Sequence, residues 1–409
     1  LADEKVVEIW PDTDTSGRIN RSKSLEIFQA YSSDLKEAKE SMSNEDFERV
    51  GFVTSTIFRY ICKDGRKNKE NIWLANTVED TVVGGDPEFM LFNEDGTIMY
   101  ASKVQNLGHN AELGSDGPLA ELRPDPAILV EDFVNNIHDI LTNHPNTRLI
   151  DPYKWIGGCH HHGHETGADT RAMKNWPVGG HIHLGTPGNL AQKISSFGNN
   201  YSHAVYACLQ RILDDYVAIP MMKLDGKDKG MKRRESSYGH FGDHKTDHGR
   251  LEYRTLSGEW LTHPELTRIV IGTVKAIAHA YFRAIEDGGF KHSLIMTKKH
   301  QETNEWYNYN DLRFFSATFD NWKNIEITKA FDTTSNSENM RAILHKWEIE
   351  FKKSYFDKLK AKYRSLQTYR EYADYIDKFI EVVRLPQNVL NEREKGLKHT
   401  WVGDSNFII

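Results

Sequence analysis

Alternating apolar and polar residues predict a series of short strands in the middle of the chain. The segment Asn93–Gly96 is a turn signal between the first two of them. The predicted strands are Val82–Phe92, Thr97–Tyr100, Leu119–Pro124, Gly180–Gly185 and Arg250–Leu256.

Apolar residues at intervals of three and four predict amphipathic helices between and after these strands. Thr262 and Glu265 form a candidate capping box that opens one of them. The predicted helices are one before residue 45, Ile128–Leu141, Ile194–Tyr216, a helix from Thr262 to near Gly288, and helical residues 338–385 that end at Pro386. Strand-then-helix units of this kind indicate an α+β protein.

Four of the predicted strands each carry two reactive side chains two residues apart, on the same side of the strand. The pairs are Asp86 and Glu88, Glu121 and Arg123, His181 and His183, and Glu252 and Arg254. One such pair is ordinarily a solvated face. Four pairs without a single Lys, Ser, Thr or Gln favour a site, since carboxylates bind Mg²⁺ and arginine binds phosphate.

The segments GGDPEF, AELRP, GGHIHLG and KRRESSYGHFGDHKTDHGRLEYRTLSGEWLTHP occur in this order over residues 80–290. Together they resemble the phage-type carboxylate–amine ligases (amidoligases), relatives of glutamine synthetase and γ-glutamylcysteine synthetase. The resemblance implies an α+β, glutamine-synthetase-like curved antiparallel sheet with helices packed outside. It also implies ATP and two or three divalent ions, Mg²⁺ or Mn²⁺, on the concave face.

Site roles follow from the resemblance, position by position. The implied metal ligands are Asp86, Glu88, Glu121, His181 and Glu252. The implied contacts to ATP are His181, His183, Arg123, Arg254 and Arg234, with Arg233 as the alternative to Arg234. The residues implied in catalysis are Arg254, Arg234, Glu252 and Glu88. The general base is left open among Glu165, Asp243 and Asp247.

The segment Cys159–Glu165, with sequence CHHHGHE, departs from the family pattern. Its imidazoles and thiol would suit a zinc ion, but a structural zinc site has ligands at defined spacing, which favours a flexible loop. We expect this loop at the rim of the active site, where it would gate or select substrate.

Composition narrows the class of protein and its surroundings. Among 409 residues, 52 are Lys or Arg and 59 are Asp or Glu, giving a net charge of −7 that argues against nucleic acid as the main partner. The three cysteines form no CxxC motif, which predicts a reducing cytoplasm, that of the host if the protein is phage-encoded. No apolar run reaches the ~18 residues of a membrane span, and no secretory signal is visible.

These observations predict an ATP-dependent carboxylate–amine ligase with small-molecule or peptide substrates. A modified nucleobase substrate and a homo-oligomer stay open. The predicted division is an N-terminal extension (1–79), the catalytic core (80–290) and a mainly helical C-terminal region (291–409). Two alternatives are a zinc-dependent hydrolase using the histidine-rich segment, although no HExxH motif is present, and a non-catalytic phage structural or interaction protein with a ligase-like domain.

Overall fold

The computed structural model describes residues 81–403 except for 165–173, 189, 192–204, 207, 211, 237, 248, 287–289, 293–314, 322–323, 330–350 and 352. The helix predicted before residue 45 lies outside the described residues. Of the helix predicted at Ile194–Tyr216, only the part from residue 205 onward is described, with a few gaps. That part is helical and passes into a π-helical turn at Asp214–Ala218.

Thirteen strands and eight α-helices are labelled here in chain order over the described residues. The strands are Val83–Phe92 (β1), Ile98–Met99 (β2), Leu113–Asp116 (β3), Leu119–Leu122 (β4), Lys154–Ile156 (β5), His160–Gly163 (β6), Lys174–Pro177 (β7), Gly180–Gly185 (β8), His244–Asp247 (β9), Arg250–Tyr253 (β10), Phe290–His292 (β11), Phe315–Asn321 (β12) and Asn324–Lys329 (β13). The helices are Val130–Asn143 (α1), Thr147–Ile150 (α2), Ile219–Asp225 (α3), Lys227–Glu235 (α4), Pro264–Glu286 (α5), Lys353–Arg364 (α6), Ala373–Arg384 (α7) and Gln387–Arg393 (α8).

An eight-stranded sheet forms the centre of the described chain. Six strands follow the order β3-β4-β1-β8-β10-β9, and β2 and β5 pair with the far end of β1. Neighbouring strands in this sheet are antiparallel. The mixture of helices with an antiparallel sheet confirms the α+β class, and the finer glutamine-synthetase-like arrangement stays a prediction.

Alternation along the strands gives the sheet two different faces. Phe89 on β1, Ile182 on β8 and Tyr253 on β10 are fully buried in the main hydrophobic core. Phe133 on α1 and Val270 on α5 belong to the same core. The helices therefore cover one face of the sheet, and the side chains at the alternate positions point to the other.

The C-terminal helices pack into this same core. Tyr363 on α6 donates a hydrogen bond to the carbonyl of Tyr216 at 2.6 Å, and Phe379 on α7 is fully buried. Amphipathic helices predicted within 338–385 are thus confirmed for α6 and α7, and residues 338–350 lie outside the described part. The helix predicted to end at Pro386 does end there, since α7 stops at Arg384, but it is not the last helix, because α8 follows it.

The capping box predicted for α5 is also wrong. The hydroxyl of Thr262 donates to the carbonyl of Glu259 at 2.7 Å instead of capping the helix. The backbone N–H of Glu265 donates to Nδ1 of His263 at 3.1 Å, so a histidine takes the place of the predicted threonine. Within the described residues, no helix combines the length and the apolar character needed to cross a bilayer.

Candidate active site

The strand registers bring the predicted pairs of reactive residues together on one face of the sheet. Glu88 on β1 lies opposite Glu121 on β4. Asp86 on β1 lies opposite His181 on β8. The central strands thus line up carboxylates and imidazoles on the face not covered by α1 and α5. We call this face the polar face, and its acids and imidazoles are Asp86, Glu88, Glu121, His181, His183 and Glu252.

Three side chains at the centre of the polar face converge closely enough to share a cation. The register places His183 opposite Glu252 on β10. Each of Asp86, His183 and Glu252 offers a ligand atom, and these atoms lie within 4.8 Å of one another. Asp86 Oδ1 lies 3.3 Å from His183 Nε2 and 3.2 Å from His181 Nδ1. His183, predicted only to contact ATP, is therefore also placed to ligate a metal.

The electrostatics around Asp86 keep its carboxyl group ionised. Burial alone would raise the pKa of Asp86, but the charges and hydrogen bonds of His183 and His181 hold it well below the usual value. Burial likewise opposes ionisation of Glu252, and His183 and Arg254 bring its pKa below the usual value. Oδ1 of Asp86 is buried, and the ring nitrogens of His181 and His183 lie 3.2 Å and 3.3 Å from it. An ionised, buried oxygen in this position suits a bound cation.

Glu88 is held by the backbone of the strand connection that leads into β8. The N–H of Gly179 donates to Glu88 Oε2 at 2.5 Å. Burial raises the pKa of Glu88, partly offset by His181 and by this N–H. A Cβ on Gly179 would lie 2.8 Å from Glu88 Oε2 and 2.7 Å from the hydroxyl of Tyr238. Only glycine leaves room for these side chains to meet at this position.

Two of the predicted arginines lie on the polar face beside its acids. Arg123 forms an ion pair with Glu121, and Arg254 forms one with Glu252. Nε of Arg254 also lies 3.8 Å from Asp243, one of the candidate bases. The face therefore presents cationic groups next to the carboxylates, as binding of a phosphate together with a metal would need.

The role predicted for Arg234, a cation over the phosphates, does not fit its position. Arg234 is only 2% exposed, and its guanidinium lies 3.4 Å from Asp225 and 5.2 Å from the centre of the Phe241 ring. The alternative, Arg233, is fully buried and donates its hydrogen bonds to three backbone carbonyls, those of Val178, Thr255 and Leu256. Both guanidiniums are occupied within the protein, so the pair acts as internal support for the surrounding loops.

Most of the histidine-rich segment is a strand, and the prediction of a flexible loop is wrong for His160–Gly163. His160–Gly163 pairs with Lys174–Pro177, and His160 and His161 are buried. Nε2 of His161 donates to the carbonyl of Ile156 at 3.1 Å. Burial lowers the pKa of His161 to about 3 and, with the charge of Lys232, that of His160 to about 4. Glu165 lies outside the described residues.

The arrangement gives no support to a zinc site built from this segment. In the part of the chain that the structure describes, the close group of metal-donor atoms includes His183 but neither His160 nor His162. The zinc hydrolase alternative needs these imidazoles to converge. The hairpin β6–β7 instead borders the polar face, since Trp176 packs on an apolar cluster with Met90 and Leu119.

Sequence reasoning missed Tyr238, which lies directly over the polar face. Its hydroxyl is 3.0 Å from Nε2 of His181 and 3.4 Å from Oε1 of Glu88. Burial, together with the charge of Glu88, raises the pKa of the Tyr238 phenol. The residue lies inside the long segment that carried the family resemblance, but its spacing from the strand pairs gives no local signal of contact.

No curated protein matches the chain, whereas four chains of solved structures do. Among them is the crystal structure of a bifunctional glutathione synthetase from Pasteurella multocida, at 12% identity and a TM-score of 0.36. That alignment covers 81% of this chain and 52% of the synthetase, so the chain spans about half the length of that protein.

A family model described as phage phiEco32-like COOH.NH2 ligase-type 2 matches residues 83–350, well over half of the chain and every strand of the polar face. The chain therefore belongs to the phage phiEco32-like COOH.NH2 ligase-type 2 family, which confirms the resemblance seen in its sequence motifs.

Proposed function

We propose that the protein is an ATP-dependent carbon–nitrogen ligase that joins a carboxylate to an amine through an acyl phosphate. The observation that carries this proposal is the convergence of Asp86, His183 and Glu252 on one sheet face, in a chain of a carboxylate–amine ligase family. Acids, imidazoles and arginines on one face suit the binding of a nucleoside triphosphate with its divalent ions.

The donor set fits Mg²⁺ or Mn²⁺ better than a softer ion. Most of the donors are carboxylate oxygens, which hard cations prefer. The residues that would hold the ions are Asp86, Glu88, Glu121, His181, His183 and Glu252. When bound, the ions would neutralise phosphate charge and hold the reacting oxygens in place.

The arginines of the polar face have a separate part in this proposal. Arg254 and Arg123 are each paired with an acid that would hold a metal ion. Their guanidiniums would therefore be held next to the metal-bound phosphates and would offset charge that develops on the transferred group. Arg234 is not assigned this part, because its guanidinium is buried beside Asp225.

The proposed reaction has two chemical steps that balance. A carboxylate oxygen forms a bond to the γ-phosphorus of ATP while the bond between that phosphorus and the bridging oxygen breaks, releasing ADP. The amine nitrogen then forms a bond to the carbonyl carbon, loses a proton to a base and displaces phosphate. In this proposal the base would be Asp243, whose carboxylate lies 3.8 Å from Nε of Arg254 beside the polar face.

The substrates of this proposal are small molecules or peptides that carry a carboxylate and an amine. A cytoplasmic location and a homo-oligomeric state remain predictions from the sequence.

A nucleotide-binding measurement tests the proposal directly. ATP with Mn²⁺ should raise the melting temperature of the parent protein, because a ligand that binds only the folded state stabilises it by mass action. EDTA should remove the shift. Glu252→Gln should reduce it, whereas Glu94→Gln, the same change at an exposed turn position, should leave it intact.

The chemistry is tested by a screen for ADP release with pooled carboxylates and amines. A pool that releases ADP with the parent protein and not with Glu252→Gln would support the ligase. The absence of any melting shift at millimolar ATP and Mn²⁺, in protein shown to be folded, would contradict the proposed function.

A further inference from the structure

Arg254 is held by an acid of its own strand and still keeps donors free for a ligand. Its Nη1 donates to Glu252, and its Nε lies 3.8 Å from Asp243, beyond the distance of a hydrogen bond. Within the described residues, Nη1 is the only nitrogen of this guanidinium that makes a hydrogen bond. The side chain of Arg254 is 17% exposed. Nε and Nη2 are therefore available to a bound anion such as a phosphate.

The ring of Tyr238, from the loop that follows α4, gives this guanidinium a second contact. Cζ of Arg254 lies 5.9 Å from the centre of the ring, within the ~6 Å range of a cation–π interaction. A hydrogen bond from one nitrogen lets the fork turn about that nitrogen, whereas a ring against the guanidinium restricts this rotation. Glu252 and Tyr238 together therefore limit the orientation of the fork.

The ring of Tyr238 is itself held by the buried guanidinium of Arg233. Cζ of Arg233 lies 5.3 Å from the centre of the ring. Its Nη1 donates to the carbonyl of Thr255 at 2.8 Å, and its Nε donates to that of Val178 at 2.9 Å. Thr255 directly follows Arg254 in the chain. One buried side chain thus fixes both the ring and the backbone next to the arginine that the ring contacts.

Two further contacts fix the position of the ring. The hydroxyl of Tyr238 lies 3.0 Å from Nε2 of His181 and 3.4 Å from Oε1 of Glu88. Gly239 follows with a φ of 67°, a conformation that glycine adopts readily. A Cβ at Gly239 would collide with the guanidinium of Arg233. The ring is therefore held at its hydroxyl, by Arg233 and through the adjoining backbone.

We propose that the ring of Tyr238 is a positioning surface that holds the guanidinium of Arg254, with Nε and Nη2 free, towards the terminal phosphate of ATP. The inference rests on the proposed function, because the phosphate contact of Arg254 is part of that proposal. It adds a residue from outside the strands. It assigns the role to the aromatic ring, so it does not depend on where the proton of the hydroxyl lies.

A purely structural role for Tyr238 is the alternative that an experiment has to exclude. In that case the residue would stabilise the fold through its hydroxyl and its packing, and its effect on ligand binding would not depend on Arg254. In our proposal the ring acts through Arg254 alone. The two roles are therefore separated by variants that remove the ring, the hydroxyl or the arginine independently.

NMR of the nucleotide-free protein tests the contact between ring and guanidinium. The Nε–H signal of Arg254, assigned by its loss in Arg254→Met, should be displaced by the ring current of Tyr238. Tyr238→Phe keeps the ring and should keep the displacement. Tyr238→Leu should move the signal towards that of a free arginine side chain, and Tyr238→Met takes its place if Tyr238→Leu does not fold.

Calorimetric titration with ATP and Mn²⁺ tests the consequence for binding. Tyr238→Phe and Tyr238→Leu both lack the hydroxyl and differ in the ring, so each is the control of the other. ATP should bind Tyr238→Leu about fivefold more weakly than Tyr238→Phe, the scale of one cation–π contact. ADP, which lacks the terminal phosphate, should bind both variants equally. With Arg254→Met added, ATP should also bind both equally, because the ring then has no guanidinium to hold.

Three results would overturn the inference. They are equal ATP affinities of Tyr238→Phe and Tyr238→Leu, a difference between them that persists with Arg254→Met, and an Arg254 signal that is the same in both variants. A parent protein that binds no ATP would instead contradict the proposed function. The Arg254 signal would then still decide whether the ring of Tyr238 positions this side chain.

Discussion

Glu88 on β1 and Glu121 on β4 are direct cross-strand partners on the polar face. Two carboxylates opposed in this way destabilise a sheet unless a proton or a cation lies between them. Burial also raises the pKa of Glu88. The two opposed carboxylates therefore lower the stability of the fold at a candidate binding site, and such a trade-off between function and stability is common.

Glu88→Gln should stabilise the metal-free protein. The amide removes a buried charge and can still accept from Gly179, so the free energy of unfolding in EDTA should rise by on the order of 0.5 kcal/mol. The extra stability conferred by Mn²⁺ should fall, because an amide is a poorer ligand. Urea unfolding with EDTA or Mn²⁺ measures both, with Glu94→Gln as the control. A less stable Glu88→Gln protein in EDTA would show that no repulsion exists.

Arg254→Lys should reduce turnover much more than stability. The charge remains, but the planar fork that pairs with Glu252 and can also contact phosphate is lost. We expect turnover to fall about 10²-fold, in the range of a lost transition-state contact, with a nearly unchanged melting temperature. ADP release with a pool active in the parent measures turnover, and Arg384→Lys on the exposed side of α7 is the control. Full activity of Arg254→Lys would exclude the proposed phosphate contact.

Arg393→Met should destabilise the fold through Glu259. Arg393 on α8 donates to the fully buried carboxylate of Glu259 at 2.8 Å. Removal of one partner leaves a buried charge without compensation, which costs about 3 kcal/mol. Adding Glu259→Gln to Arg393→Met should restore more than half of the loss in urea unfolding. A double variant no more stable than Arg393→Met would mean that packing, not charge, explains the effect.

The same variant should change how stability depends on pH. Burial raises the pKa of Glu259 above its ordinary value of 4.5, even with Arg393 nearby. The folded state therefore holds the Glu259 proton more tightly than the unfolded state, and this contribution is lost as the pH rises above 4.5. Without Arg393 the pKa should rise further, so the loss of stability between pH 5 and pH 7 should be steeper than in the parent.

His161 should make the protein acid-sensitive. Its folded pKa of about 3 lies below the ordinary 6.5, so the unfolded state binds a proton first as the pH falls. Stability is then complete above pH 6.5 and is lost towards pH 3, with a loss of about 2 kcal/mol by pH 5. His161→Gln can still donate to Ile156 and should flatten this dependence in urea unfolding. His138→Gln, at an exposed position on α1, should not.

The sequence alone predicted much of the local structure that carries the candidate site. Strand β8 was predicted with both ends correct, because alternation and flanking glycines are local signals. For the same reason, the side shared by Asp86 and Glu88, or by Glu252 and Arg254, follows from the spacing of two along a strand. The family was likewise evident from motifs that keep this spacing.

Burial and strand order were decided by the tertiary structure alone. Arg234 and Arg254 were assigned similar roles, but only packing shows that one guanidinium is buried beside Asp225 and the other lies on the polar face. We predicted a loop at His160–Gly163 because these residues are mostly polar. The segment is a strand because it pairs with Lys174–Pro177, which lies at least eleven residues further along the chain.

By itself, the sequence determined which residue types lie on which side of each strand, since that depends on neighbours two positions away. The tertiary structure decided which strands adjoin, and therefore that Asp86, His183 and Glu252 converge while Tyr238 reaches His181 and Glu88 from a separate loop. These contacts join residues 57 to 166 positions apart. Long-range packing of the core determines these contacts, and the periodicity of residues along the chain does not predict them.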